Sequence, residues 1–311
     1  MEKLKLLFIT KDQSNKPEKS SYYLTEELKK HCQLMVWHQD GDISNILSQL
    51  SFQPDFILLN DWFAPKLCPN INGLKNNRIP KGMIFHDMSN HVHERKRFIV
   101  NENIDAVFPH YRDAFKKWYP KFIHRMIWLP HHANIDVYKD YQIKKDIDLL
   151  MMGAIAPQLY PLRSLMLKSF YNKPGFIYHP HPGYTNEKDR KPGSFVGKDY
   201  AKEINRTKLF LTCNSIFGYS LLKYFEVLAC NTLLLAPLNK ELSDLGFVDG
   251  ETMVQITRHD FHEKAIYYIK NEEERLRIAN KGYYMVRRNH STENRAKMLV
   301  KNIERIINRF E

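Results

Sequence analysis

Short apolar runs alternate along the chain with amphipathic stretches, and this alternation occurs twice. In the first half, residues 5–10 (KLLFIT), 34–38, 56–59, 82–85, 106–108 and 127–129 predict strands. Between them, Ser21 is placed to cap a helix with Leu24 and Leu28 on one face. Residues 42–50 turn Ile43, Ile46, Leu47 and Leu50 inward, and residues 11–20 are polar enough for a loop. The strand runs are apolar on both faces, the pattern of a parallel sheet covered by helices. A polar stretch without a periodic apolar face follows at 134–146 (NIDVYKDYQIKKD), and then the pattern restarts. Strands are predicted at 147–152, 176–178, 209–213 and 232–236. Helices are predicted at 162–170, 200–204, 221–230, 260–271 and 272–288. A final helix over 291–311 carries an apolar stripe of Ala296, Leu299, Ile303, Ile306, Ile307 and Phe310.

The fold class is therefore α/β, with two Rossmann-like parallel-sheet domains, 1–138 and 139–290, and a terminal helical segment, 291–311. Two such sheets facing each other leave a cleft at their strand carboxyl ends, where open α/β sheets bind ligands. At 311 residues and 43% hydrophobic, the chain can fill two cores, and no low-complexity tract or repeat appears. Cys32, Cys68, Cys213 and Cys230 form no CxxC pair, which argues against a zinc ribbon and suits a reduced, cytoplasmic setting. The apolar run at the start is too short for a signal peptide, and no stretch approaches the ~20 apolar residues that span a bilayer. A net charge of +12 favours anionic partners and is spread along the chain rather than gathered in a tail.

Residues 221–236 (LLKYFEVLACNTLLLA) carry the most chemistry. A helix so apolar is buried all round, yet Lys223 and Glu226 interrupt it, three apart and so on one face. A buried Glu is costly unless something satisfies it. The plain alternative is a surface ion pair; the functional one is a carboxylate aimed at sugar hydroxyls with a cation beside it for phosphate. The loop 214–220 precedes the helix after a strand, so the helix start, with its free N–H groups, suits a diphosphate. Asn231 stands where the chain needs a left-handed residue to leave the helix.

The segment KYFEVLACNTLLLAP resembles the donor-binding signature of GT-B glycosyltransferases, nearest to the branch similar to CgeB spore-maturation proteins. The resemblance implies that Glu226 binds the donor ribose and Lys223 sits near the pyrophosphate. DLLMMGAIAPQLYPLR resembles the strand, glycine turn and Y-P-x-R that open the second domain, which would put Gly153 against the donor and Arg163 on a phosphate. Asn214, Ser215, Gly218, Tyr219 and Ser220 complete the implied donor-binding set. WLPHHANIDVY resembles the interdomain strand, KDYAKEINRTKLFLTCNS and GFVDGETMV the segments flanking the donor helix, and RNHSTENRAKMLVKNI the closing helix that crosses back to the first domain. Two departures stand out. Related enzymes carry an earlier Glu where this chain has Gly218, and Asn231 replaces the usual Gly.

IFHDMSN resembles the H-D after the fourth strand of many retaining GT-B enzymes, so His86 is a catalytic candidate beside Lys223 and Glu226. Asp87 would orient His86 or cap the next helix. The pairs His91/His93, His131/His132 and His179/His181 lack the carboxylate or thiolate partners of a metal centre, and none is expected. The HPHPG run at 179–183 would border the nucleotide or form a rigid loop. The expected activity is retaining, metal-independent transfer of a hexosyl group from a nucleotide-sugar donor, a UDP-sugar by preference, with no cofactor. The acceptor stays open between a cell-surface polymer, a lipid-linked sugar, a protein and DNA, with peripheral membrane contact but no membrane span. FKKWYPKF (115–122) reads as an amphipathic helix with a basic outer face, suited to an anionic acceptor. A nucleotide-sugar epimerase of the same fold and a non-enzymatic binder of nucleic acid or an anionic surface are the alternatives.

Overall fold

The apolar runs form two five-stranded, all-parallel sheets among the residues that the computed structural model describes, 3–186, 189 and 193–309. The chain divides into two compact units: residues 1–14, 21–130 and 293–311 form one, residues 15–20 and 131–292 the other.

In the first unit, β1 (Lys5–Ile9), α1 (Ser20–His31), β2 (Gln33–Trp37), β3 (Gly41–Asp42), α2 (Ile43–Ser48), β4 (Phe56–Leu59), β5 (Ile71–Asn72), β6 (Lys81–Phe85), α3 (Val92–Asn101), β7 (Ala106–Pro109) and α4 (Arg112–Trp118) follow in order. The sheet order is β2-β1-β4-β6-β7, with β3 and β5 pairing apart from it. All four residues of β4 are buried, as strands covered on both faces must be. Gly82 is required in β6: a Cβ there would lie 2.7 Å from the Phe108 ring. Three expectations are corrected. Ser21 lies inside α1 rather than capping it, because the helix begins at Ser20. The helix expected at 42–50 is shorter, with Asp42 as its N-cap, accepting from the Ser44 amide. Residues 127–129 form no strand; they follow a 3-10 helix (Pro120–Arg125) and precede Pro130. The Ile127 and Leu129 amides nevertheless donate to Val107 and Pro109 of β7. In the 115–122 segment Phe115, Tyr119 and Phe122 are buried while Lys116, Lys117 and Lys121 are exposed.

The second unit runs β8 (Ile147–Met152), α5 (Pro161–Phe170), β9 (Phe176–His179), α6 (Gly197–Asn205), β10 (Thr207–Leu211), α7 (Lys223–Ala229), β11 (Leu233–Ala236), α8 (Lys240–Asp244), β12 (Val254–Gln255), α9 (Phe261–Lys270) and α10 (Glu272–Asn289), and its sheet order is β12-β11-β10-β8-β9. Gly282 lets α10 lie against α7: an added Cβ would sit 2.9 Å from Leu228. The last helix, α11 (Thr292–Ile307), belongs from Glu293 onward to the first unit. Its Ala296, Leu299, Val300, Ile303 and Ile306 share one core with Leu6 and Phe8 of β1 and Phe56 and Leu58 of β4. Phe310 lies outside the described residues.

Candidate functional site

In an open parallel sheet the crevice for a ligand lies where the strand order reverses. In the second unit that point is between β8 and β10, and the sequence places Gly153 just beyond β8 and Thr212 just beyond β10. Gly153 has φ 128°, a conformation L side chains rarely adopt, so the backbone requires the glycine. A Cβ there would stand 3.3 Å from both Arg163 Nη1 and Lys223 Cε. The structure thus gathers Gly153, Arg163 and Lys223 at the switch point.

Arg163 projects from the first turn of α5 and is buried. Its Nη1 donates to the Ala154 carbonyl at 2.9 Å and its Nη2 to Thr212 Oγ1 at 3.4 Å, and its guanidinium lies 4.3 Å from the Tyr160 ring centre. Its Nε finds no hydrogen-bond partner among the described residues. Lys223 opens α7 half-buried, with Nζ 5.8 Å from the Tyr200 ring centre. Burial, and then the neighbouring Arg163, push its ammonium down to about 8. Two cations that disfavour each other in a desolvated corner would both be favoured by an anion placed between them.

Glu226, one turn along α7, is buried with only 6% of its surface exposed. Burial pushes its carboxyl up to about 7, against the pull of Lys223 and of hydroxyls from Tyr138 and Tyr200; Glu18 adds to the rise. The carboxylate is therefore neither a surface ion pair nor fully compensated. Sequence reasoning missed the two tyrosines. Tyr200 was legible as part of an amphipathic helix face, but nothing local ties Tyr138 to Glu226.

Two expectations at α7 change. The helix begins at Lys223, two residues later than expected, because Leu221 and Leu222 form a turn whose carbonyls already accept the Tyr224, Phe225 and Glu226 amides. The stock of free amides at the helix start shrinks accordingly. Asn231 does take the left-handed conformation, with φ 53°. In the preceding loop Asn214 is half-buried, while Ser215 and Tyr219 mostly shape the loop: the Tyr219 amide donates to Ser215 Oγ at 3.4 Å. Asn239 ties this loop to α8, donating to the Gly218 carbonyl at 3.0 Å and to Ser220 Oγ at 3.1 Å. Gly218 is exposed, has φ 76° and faces open space.

In the first unit the switch point lies between β1 and β4. Asn60 and Asp61, buried completely, follow β4 there. Asp61 forms a bidentate pair with Arg95 of α3, at 2.7 and 3.1 Å, and its Oδ2 accepts the His86 amide at 3.0 Å. His86 is half-buried and its ring Nε2 lies 2.8 Å from Asn60 Oδ1, with the His110 ring edge-on at 4.5 Å. Asp87 neither caps α3 nor holds the His86 ring through any of these bonds. It accepts from Ser89 and Asn90 in the turn ahead of α3, and the residue at the N-cap is His91. The paired histidines have other engagements: His91 stacks on Phe63, His132 meets the Thr292 hydroxyl at 3.0 Å, and His179 bonds Glu203 at 2.9 Å. His181 Nδ1 accepts from the Gly183 amide, which makes 179–183 a self-bonded loop.

Residues 163–301, just under half of the chain, match the family model described as glycosyl transferase-like. No curated protein matches the chain. Among solved structures, sucrose-phosphate synthase from Thermosynechococcus elongatus is 11% identical, covers 98% of this chain and 100% of its own, and superposes with a TM-score of 0.70. HepE from Anabaena, solved in complex with UDP, is 12% identical with coverages of 97% and 100% and a TM-score of 0.69. It has also been solved with UDP-glucose. A glycosyltransferase from Rickettsia africae is 10% identical, with coverages of 99% and 99% and a TM-score of 0.65. At such identities the likeness shows the fold: the chain has the α/β architecture of GT-B glycosyltransferases along its whole length.

Proposed function

We propose that the protein is a glycosyltransferase that takes its sugar from a nucleoside diphosphate donor, a UDP-sugar first among them, and passes it to a hydroxyl acceptor. The observation that carries this reading is the grouping of Gly153, Arg163 and Lys223 at the switch point, one helical turn from a buried carboxyl pushed up to about 7. Glu226 accepts hydrogen bonds from the ribose hydroxyls, which favour its charged form and offset its burial. Lys223 and Arg163 face the pyrophosphate, and the bare Gly153 backbone admits it. The HepE complexes with UDP and UDP-glucose on the same fold support UDP as the nucleotide.

As the bond from the anomeric carbon to the phosphate oxygen breaks, the departing diphosphate gains negative charge. Fixed cations in a dry corner stabilise that charge without reorganising, and such stabilisation is commonly the main source of an enzyme's rate enhancement. Arg163 and Lys223 thereby do the work for which other transferases use a bound cation. We assign a hexosyl group, retention at the anomeric carbon and membership of the CgeB-like branch to the same reading. The acceptor is given to the first unit, where His86 would face it and where the exposed Lys116, Lys117 and Lys121 suit an anionic acceptor. No helix among the described residues is long and apolar enough to cross a membrane, and we place the enzyme in the cytoplasm, where its four free, buried cysteines stay reduced.

Thermal unfolding against a panel of nucleoside diphosphates and their sugars tests the reading. UDP and UDP-sugars raise the melting temperature of the wild type, since a ligand bound only by the folded state stabilises it, and Lys223→Met reduces the rise at the same ligand concentration. A panel without any shift overturns the reading. Release of an isomerised donor without acceptor would replace transfer by epimerisation.

A further inference from the structure

The hydrogen bonds around Asn60 determine which nitrogen of His86 carries the proton. The Asn60 side-chain amide is oriented by partners whose roles are not interchangeable. Its Oδ1 accepts the Asp61 backbone N–H at 2.9 Å, and a backbone N–H can only donate. Its Nδ2 lies 3.0 Å from Thr10 Oγ1 and 3.1 Å from Ser21 Oγ. Thr10 spends its own proton on backbone carbonyls, those of Leu67 at 3.1 Å and Lys11 at 3.2 Å, so it receives from Asn60. Turning the amide over would set NH2 against N–H. The oxygen therefore faces His86 Nε2, 2.8 Å away, and accepts from it.

We infer that Asn60 is a positioning residue that holds His86 as the Nε2–H tautomer, so that Nδ1 is the ring's acceptor nitrogen. Resting on the transferase reading, Nδ1 is then the atom that meets the acceptor hydroxyl. The other groups around the ring are consistent with this. Asp61 meets His86 at the backbone amide, and its charge is matched by Arg95. His110 sits edge-on at the ring, and burial pushes it down to about 4, which keeps it neutral there. The group that meets Nε2 is thus a neutral amide oxygen, and it is this oxygen that sets the tautomer. Arg95, stacked between Phe63 and Phe85 at 4.8 and 4.7 Å, fixes Asp61 and through its neighbour fixes Asn60.

The test is two-bond 15N–1H correlation on histidine-labelled full-length protein, with the His86 signals assigned by their loss in His86→Gln. The wild type shows the Nε2–H tautomer. Asn60→Asp keeps the shape and places a carboxylate on Nε2, which moves the His86 titration upward by about one pH unit or more. Asn60→Ser removes the acceptor at that distance, and the ring then populates both tautomers. A wild-type ring protonated at Nδ1, or a folded Asn60→Asp protein whose His86 titrates as in the wild type, overturns the assignment. None of these readings uses a sugar donor, so failure of the transferase reading and failure of this one are separately visible. With donor turnover in hand, Asn60→Ser lowers kcat and leaves UDP affinity unchanged; equal loss in both would mean a structural role only.

Discussion

The two units place a buried carboxylate near the same point of two similar sheets and treat it in opposite ways. Asp61 follows β4 and is met within its own unit by both arms of Arg95. Beside it Asn60 and Thr10 hydrogen-bond across the switch point of that sheet. Glu226 stands on α7, the helix that follows β10 in the second unit, and there burial raises the carboxyl to about 7 against the pull of a weakened ammonium and two tyrosine hydroxyls, with Glu18 adding to the rise. In the first unit the carboxylate's partners are a guanidinium and backbone amides of the same unit; in the second a glycine stands against Arg163 and Lys223. Burying charge without a full set of partners is destabilising, and it persists where a ligand completes the set. Under the proposed function, the contrast is between an acid that builds a fold and one that serves a ligand.

The sharpest way to break this comparison is to remove the partner of the finished pair. Arg95→Ala leaves Asp61 buried and charged without its cation, and should cost about 3–5 kcal/mol in urea unfolding. A loss under ~1 kcal/mol would mean that Asp61 is not held by that pair. Lys223→Met should do the reverse: little change in stability, and a loss of UDP affinity of about 10- to 100-fold by calorimetry, the range for a charge-assisted hydrogen bond. Gly153→Ala places a methyl against both cations at a disfavoured φ. It should weaken UDP by about fivefold or more while the protein still folds. An unchanged UDP affinity would place the pyrophosphate elsewhere.

The smallest effect is on pH dependence. The folded Glu226 carboxyl titrates at about 7 against 4.5 unfolded, so between these values the folded state holds the extra proton. Stability contributed by the neutral form is complete below 4.5 and is lost as pH rises through 7. Lys223, lowered from 10.5 to about 8, acts oppositely, and its penalty fades as pH climbs above 8. Glu226→Gln should remove the decline between pH 4.5 and 7, seen as a flatter melting-temperature profile. A profile identical to the wild type would show that the carboxyl is not raised.

Much of the architecture was legible because burial on both faces leaves a plain signature, as in FILL of β4 and LLLA of β11. What failed were boundaries that depend on backbone partners. The turn of Leu221 and Leu222 shortens α7, and residues 127–129 run along β7 without becoming a strand. At the site, Lys223 and Glu226 stood out because charge inside an oily helix is conspicuous. Asn60, Asp61 and Arg95 did not: each is ordinary in its local stretch, and only the β4–α3 packing brings Asp61 and Arg95 together. Tyr138 escaped for the same reason, since it lies 88 residues before Glu226 in the chain.

The helix α11 is translated after all the other elements, yet it fills the core over β1 and β4. Residues 131–292 are synthesised while the earlier sheet still lacks this cover. The earlier unit cannot complete its core until residues 293–307 have been made. A stop codon near position 292 would then harm the part of the molecule synthesised first.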